Sequence, residues 1–283
     1  MLRDIQTILL QDSAHLIEAL ALAPDSARIE VQCLLQHILN VSRAYLTTHP
    51  ERRLNKPEQT RYDELLQRRL CGEPIAYLLG EREFFGLTFK VTPATLIPRP
   101  ETELLVELAL QRISKHQPCS VLDLGTGSGA IALTIAHERP EAEVVACDTS
   151  TAALDVAREN AQRLGIAKVD FVLSDWFQAL TGKRFDMIVA NPPYVASDDP
   201  HLAHGDVRFE PASALVSGND GLQDIRRIIS QASKHLGTNG WLLLEHGYDQ
   251  AAQVRELLQQ AGYDEVFSAR DLAGIERVSG GCA

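Results

Sequence analysis

The stretch Asp123-Leu124-Gly125-Thr126-Gly127-Ser128-Gly129-Ala130 joins a predicted strand, Ser120–Leu124, to a predicted helix, Ser128–His137. Glycines at such a junction let the backbone turn tightly and approach a ligand closely, at the positive end of a helix. A strand, a glycine-rich turn and a helix in this order are typical of α/β proteins that bind nucleotides. The stretch therefore predicts a parallel sheet with a binding loop at its carboxyl edge.

Asp148 supports this interpretation because it closes the next predicted strand, Glu143–Cys147. A carboxylate at that position can accept both hydroxyls of a ribose. Gly125, Gly127 and Ala130 also fit, loosely, the G-x-G-x-x-G/A fingerprint of dinucleotide-binding proteins. The loop and Asp148 therefore predict a nucleotide-containing cofactor and leave NAD and S-adenosylmethionine as alternatives.

The chain around and after this loop alternates strands with helices, as a doubly wound sheet does. Further strands are predicted at Val169–Leu173, Phe185–Ala190, Trp241–Glu245, Glu265–Arg270 and Glu276–Val278. The last two runs are too close together for a helix between them, so they should pair antiparallel. The prediction is an α/β fold with a seven-stranded sheet whose last strand is antiparallel.

Residues 1–77 show a helical pattern, with apolar residues at three- and four-residue steps, and predict a small bundle. Asp25 or Ser26 is expected to cap its second helix. Ser42 precedes another short helix, and Pro57 is expected to start a further one.

The region between the bundle and the α/β domain differs in residue composition, with aromatic and β-branched residues followed by prolines. Residues 78–100 predict a β-hairpin followed by a connector that three prolines stiffen. The α/β domain then takes residues 101–283. In the bundle, basic side chains cluster at Arg52, Arg53, Lys56, Arg61, Arg68 and Arg69. They are interpreted either as a solvated helix face or as a docking surface.

Charge and cysteine content restrict the function classes. The formal net charge is -11 and the pI about 5.3, which counts against a nucleic acid as the main partner because phosphates would be repelled. The five cysteines include no C-x-x-C pair and predict reduced thiols in a cytoplasmic protein. No apolar run is long enough to predict a membrane span.

A second motif, Asn191-Pro192-Pro193-Tyr194, directly follows the predicted strand Phe185–Ala190. It therefore lies at the carboxyl edge of the sheet, where open α/β proteins bind their ligands. The side-chain oxygen of Asn191 and the carbonyl oxygen of Pro192 can accept the two hydrogens of a planar NH2 group. Tyr194 offers an aromatic face to a flat substrate group and to a cationic methyl group.

This combination indicates methyl transfer to nitrogen. An amide or aromatic amine is a poor nucleophile because its lone pair is delocalised. Two acceptors on its hydrogens favour pyramidalisation and stabilise the positive charge that develops as a methyl group arrives. The motif thus selects S-adenosylmethionine over NAD and leaves amide and adenine amine as possible substrates.

The same residues carry a family resemblance. The loop at 123–130, Asp148 and Asn191–Tyr194 resemble those of amino-methyltransferases with a Rossmann-like S-adenosylmethionine fold. Nearly the whole chain is similar to the protein-(glutamine-N5) methyltransferases of peptide-chain release factors, the PrmC/HemK family. This narrower match rests on Gly72–Tyr77, Leu96–Glu103, Phe209–Pro211 and Asp271–Arg277.

The resemblance implies a substrate and a partner. The methyl group of S-adenosylmethionine would go to the side-chain amide nitrogen, N5, of the glutamine in the Gly-Gly-Gln motif of class 1 release factors. The product of the cofactor would be S-adenosylhomocysteine. The bundle at 1–77 would help to grip the release factor, an implication that favours docking for its basic cluster.

The resemblance also implies residue roles. Catalysis falls to Asn191, Pro192 and Tyr194, and these three with Pro193 would bind the substrate. The cofactor would contact Asp123, Gly125, Thr126, Gly127, Ser128, Gly129, Asp148, Asp175, Trp176 and Asn191. Asp175 and Trp176 would address the adenine amine and face, although a buried structural tryptophan is an alternative. Arg99 and Glu103 would lie near the cofactor.

Other interpretations are weaker. Adenine-N6 methylation of nucleic acid uses the same motif, but the acidic charge counts against it. A dehydrogenase would leave Asn191–Tyr194 unexplained, and a non-enzymatic scaffold would not need an intact motif set. The residues Asp198–Asp206 predict a mobile loop and not a metal site, and His246 is expected to be a hydrogen-bonded histidine at a strand end.

Overall fold

The computed structural model describes residues 2–283 and divides the chain into two compact units. The first unit combines the chain up to Gly80 with the segment 201–209, and the second contains residues 81–200 and 210–283. The hairpin region at 78–100 therefore groups mainly with the second unit. A short segment from the second half of the chain groups with the helices at its start.

Five helices make up most of the first unit. They are α1 (Ile5–Leu20), α2 (Pro24–Leu39), α3 (Arg43–Thr48), α4 (Lys56–Leu70) and α5 (Ile75–Leu79). Their core is built from buried aliphatic side chains and one buried tyrosine, Tyr62. The predicted helical bundle is confirmed.

The starts of two helices differ in detail from the prediction. Helix α2 begins at Pro24 without a side-chain cap, so the prediction that Asp25 or Ser26 caps it is wrong. Proline fits the first helical position because its missing N–H would have no partner there. Asn55 and Glu58 form a capping box at the start of α4, and Pro57 follows in its first turn.

Arg69 is a buried cation in the first unit. Its side chain is 3% exposed, and its guanidinium donates to Glu30 at 2.7 and 3.1 Å and to Asp206 at 3.0 Å. Arg208 donates to the carbonyl oxygen of Cys71 at 2.9 Å. The segment 201–209 is thus held to the end of α4, and Arg69 is not part of a solvated face.

The second unit begins with a hairpin and contains the large sheet. Its strands are β1 (Glu81–Phe84), β2 (Leu87–Lys90), β3 (Cys119–Leu124), β4 (Ala142–Asp148), β5 (Val169–Leu173), β6 (Phe185–Ala190), β7 (Leu236–Glu245), β8 (Asp264–Arg270) and β9 (Glu276–Cys282). Its helices are α6 (Glu103–Arg112), α7 (Ala130–Glu138), α8 (Thr151–Leu164), α9 (Gln223–Ala232) and α10 (Ala251–Gln260).

Seven strands form one sheet in the order β5-β4-β3-β6-β7-β9-β8. Strand β9 pairs antiparallel with both β7 and β8, and the other pairs are parallel. The predicted α/β fold with an antiparallel last strand is confirmed. The chain moves outward from β3 to β5 and then returns to the other side of β3 with β6, which creates a crevice at the carboxyl ends of β3 and β6.

Both faces of this sheet are covered by hydrophobic side chains. Successive residues of a strand point to opposite faces and therefore enter different clusters. Val121, Val144 and Met187 enter one hydrophobic cluster, and their neighbours Leu122 and Ile188 enter the other. Burial on both faces explains why the strands are continuous apolar runs. Across residues 2–283, no helix combines the length and apolar character that a bilayer crossing requires.

The burial of Arg69 between Glu30 and Asp206 predicts that its replacement has a large effect on stability. Arg69→Met should lower the free energy of unfolding by about 3 kcal/mol, because it leaves Glu30 and Asp206 without their cation. Urea unfolding of the full chain, followed by circular dichroism, measures this change.

Arg68→Met is the matched control. Arg68 is adjacent and half exposed, and among the described residues its ion pair is with Glu73, so its replacement should cost less than about 1 kcal/mol. Equal effects of the two substitutions would contradict the assigned importance of Arg69.

Candidate active site

Backbone conformation fixes the loop between β3 and α7. Gly125, Gly127 and Gly129 have φ angles of 74°, 56° and 84°, in the left-handed region that favours glycine. The amides of Gly125 and Thr126 both donate to the carbonyl oxygen of Cys147 at 2.9 Å. The loop is therefore folded back against the end of β4.

A cavity of about 310 Å³ opens beside this loop. The connector before α6, the glycine loop, the ends of β4 and β5, and the segment after β6 all contribute to its lining. The predicted site residues that line it are Gly125, Thr126, Gly127, Ser128, Asp148, Trp176, Asn191 and Pro193. Residues far apart in sequence thus meet at one edge of the sheet.

Strand register explains why they meet. Leu124, the last residue of β3, is paired with Ala190, the last residue of β6. The glycine loop and the Asn191–Tyr194 motif therefore leave neighbouring strands side by side. Leu124 is also paired with Cys147 on β4, which brings Asp148 to the same edge.

Asp148 links the end of β4 to the glycine loop. Its Oδ2 accepts from the Gly127 amide at 2.9 Å, and its Oδ1 accepts from the Ser150 amide at 2.9 Å. A carboxylate oxygen can accept more than one hydrogen bond. Asp148 can therefore accept further hydrogen bonds, from the hydroxyl groups of a ligand in the cavity.

Asp123 supports the loop from inside the protein. Its side chain is fully buried, and its Oδ2 accepts from the Thr126 hydroxyl at 2.6 Å and from the Ala132 amide at 3.2 Å. Its Oδ1 has no hydrogen-bond partner among the described residues. Burial raises the pKa of Asp123 to about 7 because it penalises the charged form.

Trp176 forms a wall of the cavity in a strained conformation. Its φ is 50°, a backbone geometry that costs a bulky residue about 1–3 kcal/mol. The indole Nε1 donates to Asp224 at 3.2 Å, and the Trp176 carbonyl oxygen accepts from the Ser174 hydroxyl at 2.8 Å. These contacts hold the ring where a Cβ on Gly125 would lie 3.5 Å from it.

Five predicted site residues do not line the cavity: Asp123, Gly129, Asp175, Pro192 and Tyr194. Asp175 instead accepts two hydrogen bonds from Arg227, both of 2.7 Å. Gly129 caps α7, and Pro192 is buried. The contact of Asp175 with an adenine amine stays a prediction that this ion pair does not favour.

The two ends of the Asn191–Tyr194 motif have defined partners. The Asn191 Nδ2 donates to the Thr102 hydroxyl at 3.2 Å, which leaves the Asn191 Oδ1 as the acceptor of that side chain. The Tyr194 hydroxyl donates to Glu245 Oε1 at 3.4 Å. Burial raises the pKa of Tyr194, so the hydroxyl keeps its proton.

The connector before α6 supplies Arg99 and Glu103, which were expected near the cofactor, and Thr102, which sequence reasoning did not single out. Thr102 lines the cavity beside Arg99. Arg99 forms an ion pair with the buried Glu210, which also accepts from the Ile97 amide at 3.0 Å. Glu103 accepts from the Phe85 amide at 2.9 Å and lies outside the cavity lining. A sequence signal for these residues did exist: they lie in Leu96–Glu103 and Phe209–Pro211, two of the stretches that resemble the family.

The other candidates are accounted for structurally. His246 is buried, with Nδ1 at 2.9 Å from the Gly247 carbonyl oxygen and Nε2 at 2.8 Å from the Ser279 hydroxyl. The prediction of a hydrogen-bonded strand-end histidine is confirmed, and burial lowers its pKa. Within residues 2–283, no three His, Cys, Asp or Glu side chains are grouped so that they could hold a metal ion.

Comparisons with known proteins match the two parts of the chain to two different family models. A model of the PrmC N-terminal domain matches residues 13–80, and a model of the methyltransferase small domain matches residues 101–215. The release factor glutamine methyltransferase of Bordetella pertussis is 51% identical over 267 residues, which cover 94% of this chain and 98% of that protein. The protein of the same name from Burkholderia pseudomallei is 54% identical over 275 residues, which cover 95% of each chain.

Among solved structures, the 16S rRNA N2 G1207 methyltransferase of T. thermophilus, in complex with AdoMet and guanosine, has a TM-score of 0.53 to this chain. The two are 23% identical, and the match covers 71% of this chain and 49% of the other. This likeness concerns the fold alone.

The burial of Asp123 predicts a pH-dependent stability difference. The pKa of Asp123 is raised from 3.8 to about 7 in the folded protein, so the folded protein holds this proton more tightly than the unfolded chain does. The resulting contribution to the free energy of unfolding is complete below about pH 4 and is lost as the pH rises to about 7. Asn does not ionise. Asp123→Asn should therefore gain stability relative to the parent chain over this interval, by up to about 4 kcal/mol.

Urea unfolding of both chains at a series of pH values measures this difference. A difference in unfolding free energy that stays constant with pH would contradict the raised pKa of Asp123.

Proposed function

The chain belongs to the release factor glutamine methyltransferase family, and from this membership and its site we propose that it methylates a release factor. The methyl group would pass from S-adenosylmethionine to the N5 amide nitrogen of a glutamine side chain. The glutamine would be that of the Gly-Gly-Gln motif in class 1 release factors.

One observation carries the proposal. The glycine loop and Asn191 border the same cavity because Leu124 and Ala190 end paired strands. A cofactor held by the loop and an amine held at Asn191 would therefore face each other. Such proximity replaces a bimolecular encounter with a reaction between positioned groups, and this is a large part of many enzymatic rate enhancements.

The lining of the cavity fits the proposed cofactor. Asp148 can accept ribose hydroxyls, and the Trp176 ring offers a flat face to adenine. Gly125 and Gly127 let a ligand approach the loop backbone closely, where a side chain would intervene. When bound, S-adenosylmethionine supplies an electrophilic methyl group on a positively charged sulfur.

The motif residues would prepare the amide nitrogen. The Asn191 Oδ1 and the Pro192 carbonyl oxygen would each accept one amide hydrogen, which weakens conjugation of the nitrogen lone pair and stabilises the developing charge. No strong base is needed before transfer. The proton that remains afterwards would leave from a cationic, and hence strongly acidic, nitrogen.

Adenine-N6 methylation of a nucleic acid is the alternative. The net charge of -11 disfavours a polyanionic substrate, and the names of the similar proteins specify release factor glutamine. The test is to supply labelled S-adenosylmethionine with a release factor and, separately, with duplex DNA. Mass spectrometry should locate the label on the Gly-Gly-Gln glutamine, and label on adenine would overturn the proposal.

The partner and location follow from the substrate. The first unit contains the region that matches the PrmC N-terminal domain, and we assign to it part of the release-factor contact. Arg53, Lys56 and Arg61 are its exposed basic residues near the start of α4. Because release factors act in translation, the cytoplasmic location expected from sequence is part of this proposal.

Asn191→Ala should separate transfer from cofactor binding. Loss of one pre-set acceptor should lower kcat by about 10²–10³-fold, while cofactor affinity measured by calorimetry should stay close to that of the parent chain. Asp148→Asn is the reciprocal control and should weaken cofactor binding by about tenfold or more. Loss of cofactor binding in the folded Asn191→Ala variant would contradict the assigned roles.

Charge reversal tests the docking surface. The triple change Arg53→Glu, Lys56→Glu and Arg61→Glu should raise the Kd for the release factor by about tenfold, since exposed charges contribute about 0.2–1 kcal/mol each. The control is Lys115→Glu, Arg158→Glu and Lys234→Glu, which makes the same change in net charge at exposed sites of the second unit. Equal weakening by both triples would remove the docking role.

A further inference from the structure

The indole ring of Trp176, in the wall of the cavity, is held by a residue from a distant part of the chain. Its one hydrogen-bonding group, Nε1, donates to Asp224 Oδ1 at 3.2 Å. Asp224 lies 48 residues later, in the first turn of α9. It was not among the predicted site residues and does not line the cavity, so it reaches the cavity through the ring of Trp176.

The two oxygens of the Asp224 carboxylate have different partners. Oδ1 accepts from the indole, whereas Oδ2 accepts from the Ser217 hydroxyl at 2.7 Å. The Ser217 oxygen in turn accepts from the Asp224 amide at 2.8 Å, so two reciprocal hydrogen bonds join these residues. Ser217 is buried, and water does not compete for the bonds. The carboxylate is therefore fixed with Oδ1 toward the indole.

This pair is attached to the backbone that follows the Asn191–Tyr194 motif. The Ser217 amide donates to the Val195 carbonyl oxygen at 2.9 Å, and the Val195 amide donates to the Leu215 carbonyl oxygen at 2.8 Å. Val195 is the residue directly after the motif. The side chain that orients the cavity wall is thus fastened to the same stretch of backbone as the motif.

Local preference does not place the Trp176 ring. The φ angle of 50° is unfavourable for a bulky residue, and the Ser174 hydroxyl holds this backbone by donating to the Trp176 carbonyl oxygen at 2.8 Å. The bond to Asp224 then fixes the ring on that backbone. Partners on both sides of Trp176 therefore keep its ring in the cavity wall.

We propose that Asp224 is a positioning residue for the cofactor, because its bond to Nε1 fixes the plane of the Trp176 ring against which adenine would stack. The inference rests on the proposed function, which places the adenine of S-adenosylmethionine against this ring. Stacking between flat groups is favourable in a limited range of orientations. A ring that is fixed before the ligand arrives lowers the ordering cost of binding.

A purely structural role for Asp224 is the alternative. An acidic residue in the first turn of a helix stabilises that helix, and the bonds with Ser217 add to this effect. Such a role does not depend on the indole N–H of Trp176. Removal of that N–H therefore separates the two explanations.

A double-mutant cycle tests the contact through cofactor affinity. S-adenosylhomocysteine is the probe, and calorimetry on the full chain gives its Kd without any methyl acceptor. Asp224→Ala and Trp176→Phe should each raise this Kd by about three- to tenfold, the range expected for one hydrogen bond. The combined variant should bind no more weakly than Trp176→Phe, because the N–H through which Asp224 acts is already absent. Two effects that multiply would overturn the proposal.

Asp220→Ala is the matched control. Asp220 precedes the same helix, accepts from the Leu222 amide at 3.1 Å and pairs with Arg226. Its replacement removes an equal charge from the same helix start and leaves the partner of the indole in place, so the Kd should stay within about twofold of the parent value. Equal weakening by Asp220→Ala and Asp224→Ala would overturn the proposal.

Asp224→Asn is the conservative variant. It keeps an oxygen that can accept from the indole, although a neutral acceptor forms a weaker bond than a carboxylate. It should therefore bind S-adenosylhomocysteine more tightly than Asp224→Ala does. The opposite order would contradict an acceptor role for Asp224.

Fluorescence of the cofactor-free protein tests the position of the ring directly. The chain has two tryptophans, so Trp241→Phe leaves Trp176 as the single emitter. In this background Asp224→Ala should make the emission easier to quench with acrylamide, because the released ring becomes more open to solvent, whereas Asp220→Ala should not. Unchanged quenching in an Asp224→Ala variant that is folded by circular dichroism would overturn the proposal.

Failure of the proposed function gives a different result. If affinity and quenching respond as expected but the parent protein labels no release-factor glutamine, the role of Asp224 stands and the proposed substrate is wrong. If the glutamine is labelled but the two effects multiply in the cycle, the role of Asp224 is wrong and the proposed function stands.

Discussion

The parallel pairing of β3 with β6 is the constraint on which the candidate active site depends. Its register ends both strands at Leu124 and Ala190, so the segments that follow must share one edge of the sheet. Burial of both sheet faces specifies this register, because a shift of one residue would move apolar side chains of each strand to the wrong hydrophobic cluster. Pairing of β6 with β7 extends the same constraint to Glu245. The packing of the core thereby decides which polar residues meet.

Two buried carboxyl groups flank the cavity and serve different purposes. Asp123 accepts a hydrogen bond from Thr126 in the glycine loop, and Glu245 accepts one from Tyr194 in the motif. Burial raises the pKa of each to about 7. Asp148 lines the cavity itself and can accept hydrogen bonds from a ligand. The difference follows from position: an acid sealed in the core fixes its neighbours, whereas an acid at the cavity wall is available for binding.

The first unit follows another organisation. Helices from the start of the chain combine with the distant segment 201–209, and one buried arginine joins them through Glu30 and Asp206. This segment lies in the sequence between Tyr194 and the buried Glu210.

The sequence by itself determined the α/β class, the strands, and the positions of the glycine loop, Asp148 and Asn191–Tyr194 after strands of the sheet. These features depend on local periodicity, on glycine conformations and on the chemistry of a short motif, all of which are written in neighbouring residues. Only the tertiary structure decided the contacts of Thr102, Trp176, Arg69 and Glu245. Their importance comes from a strained backbone or from partners far away in the chain, as with Asn191 and Thr102, and a single sequence does not encode those separations. It likewise took the fold to turn Asp175 toward Arg227, because the direction of a side chain after a strand depends on which helix packs beside it.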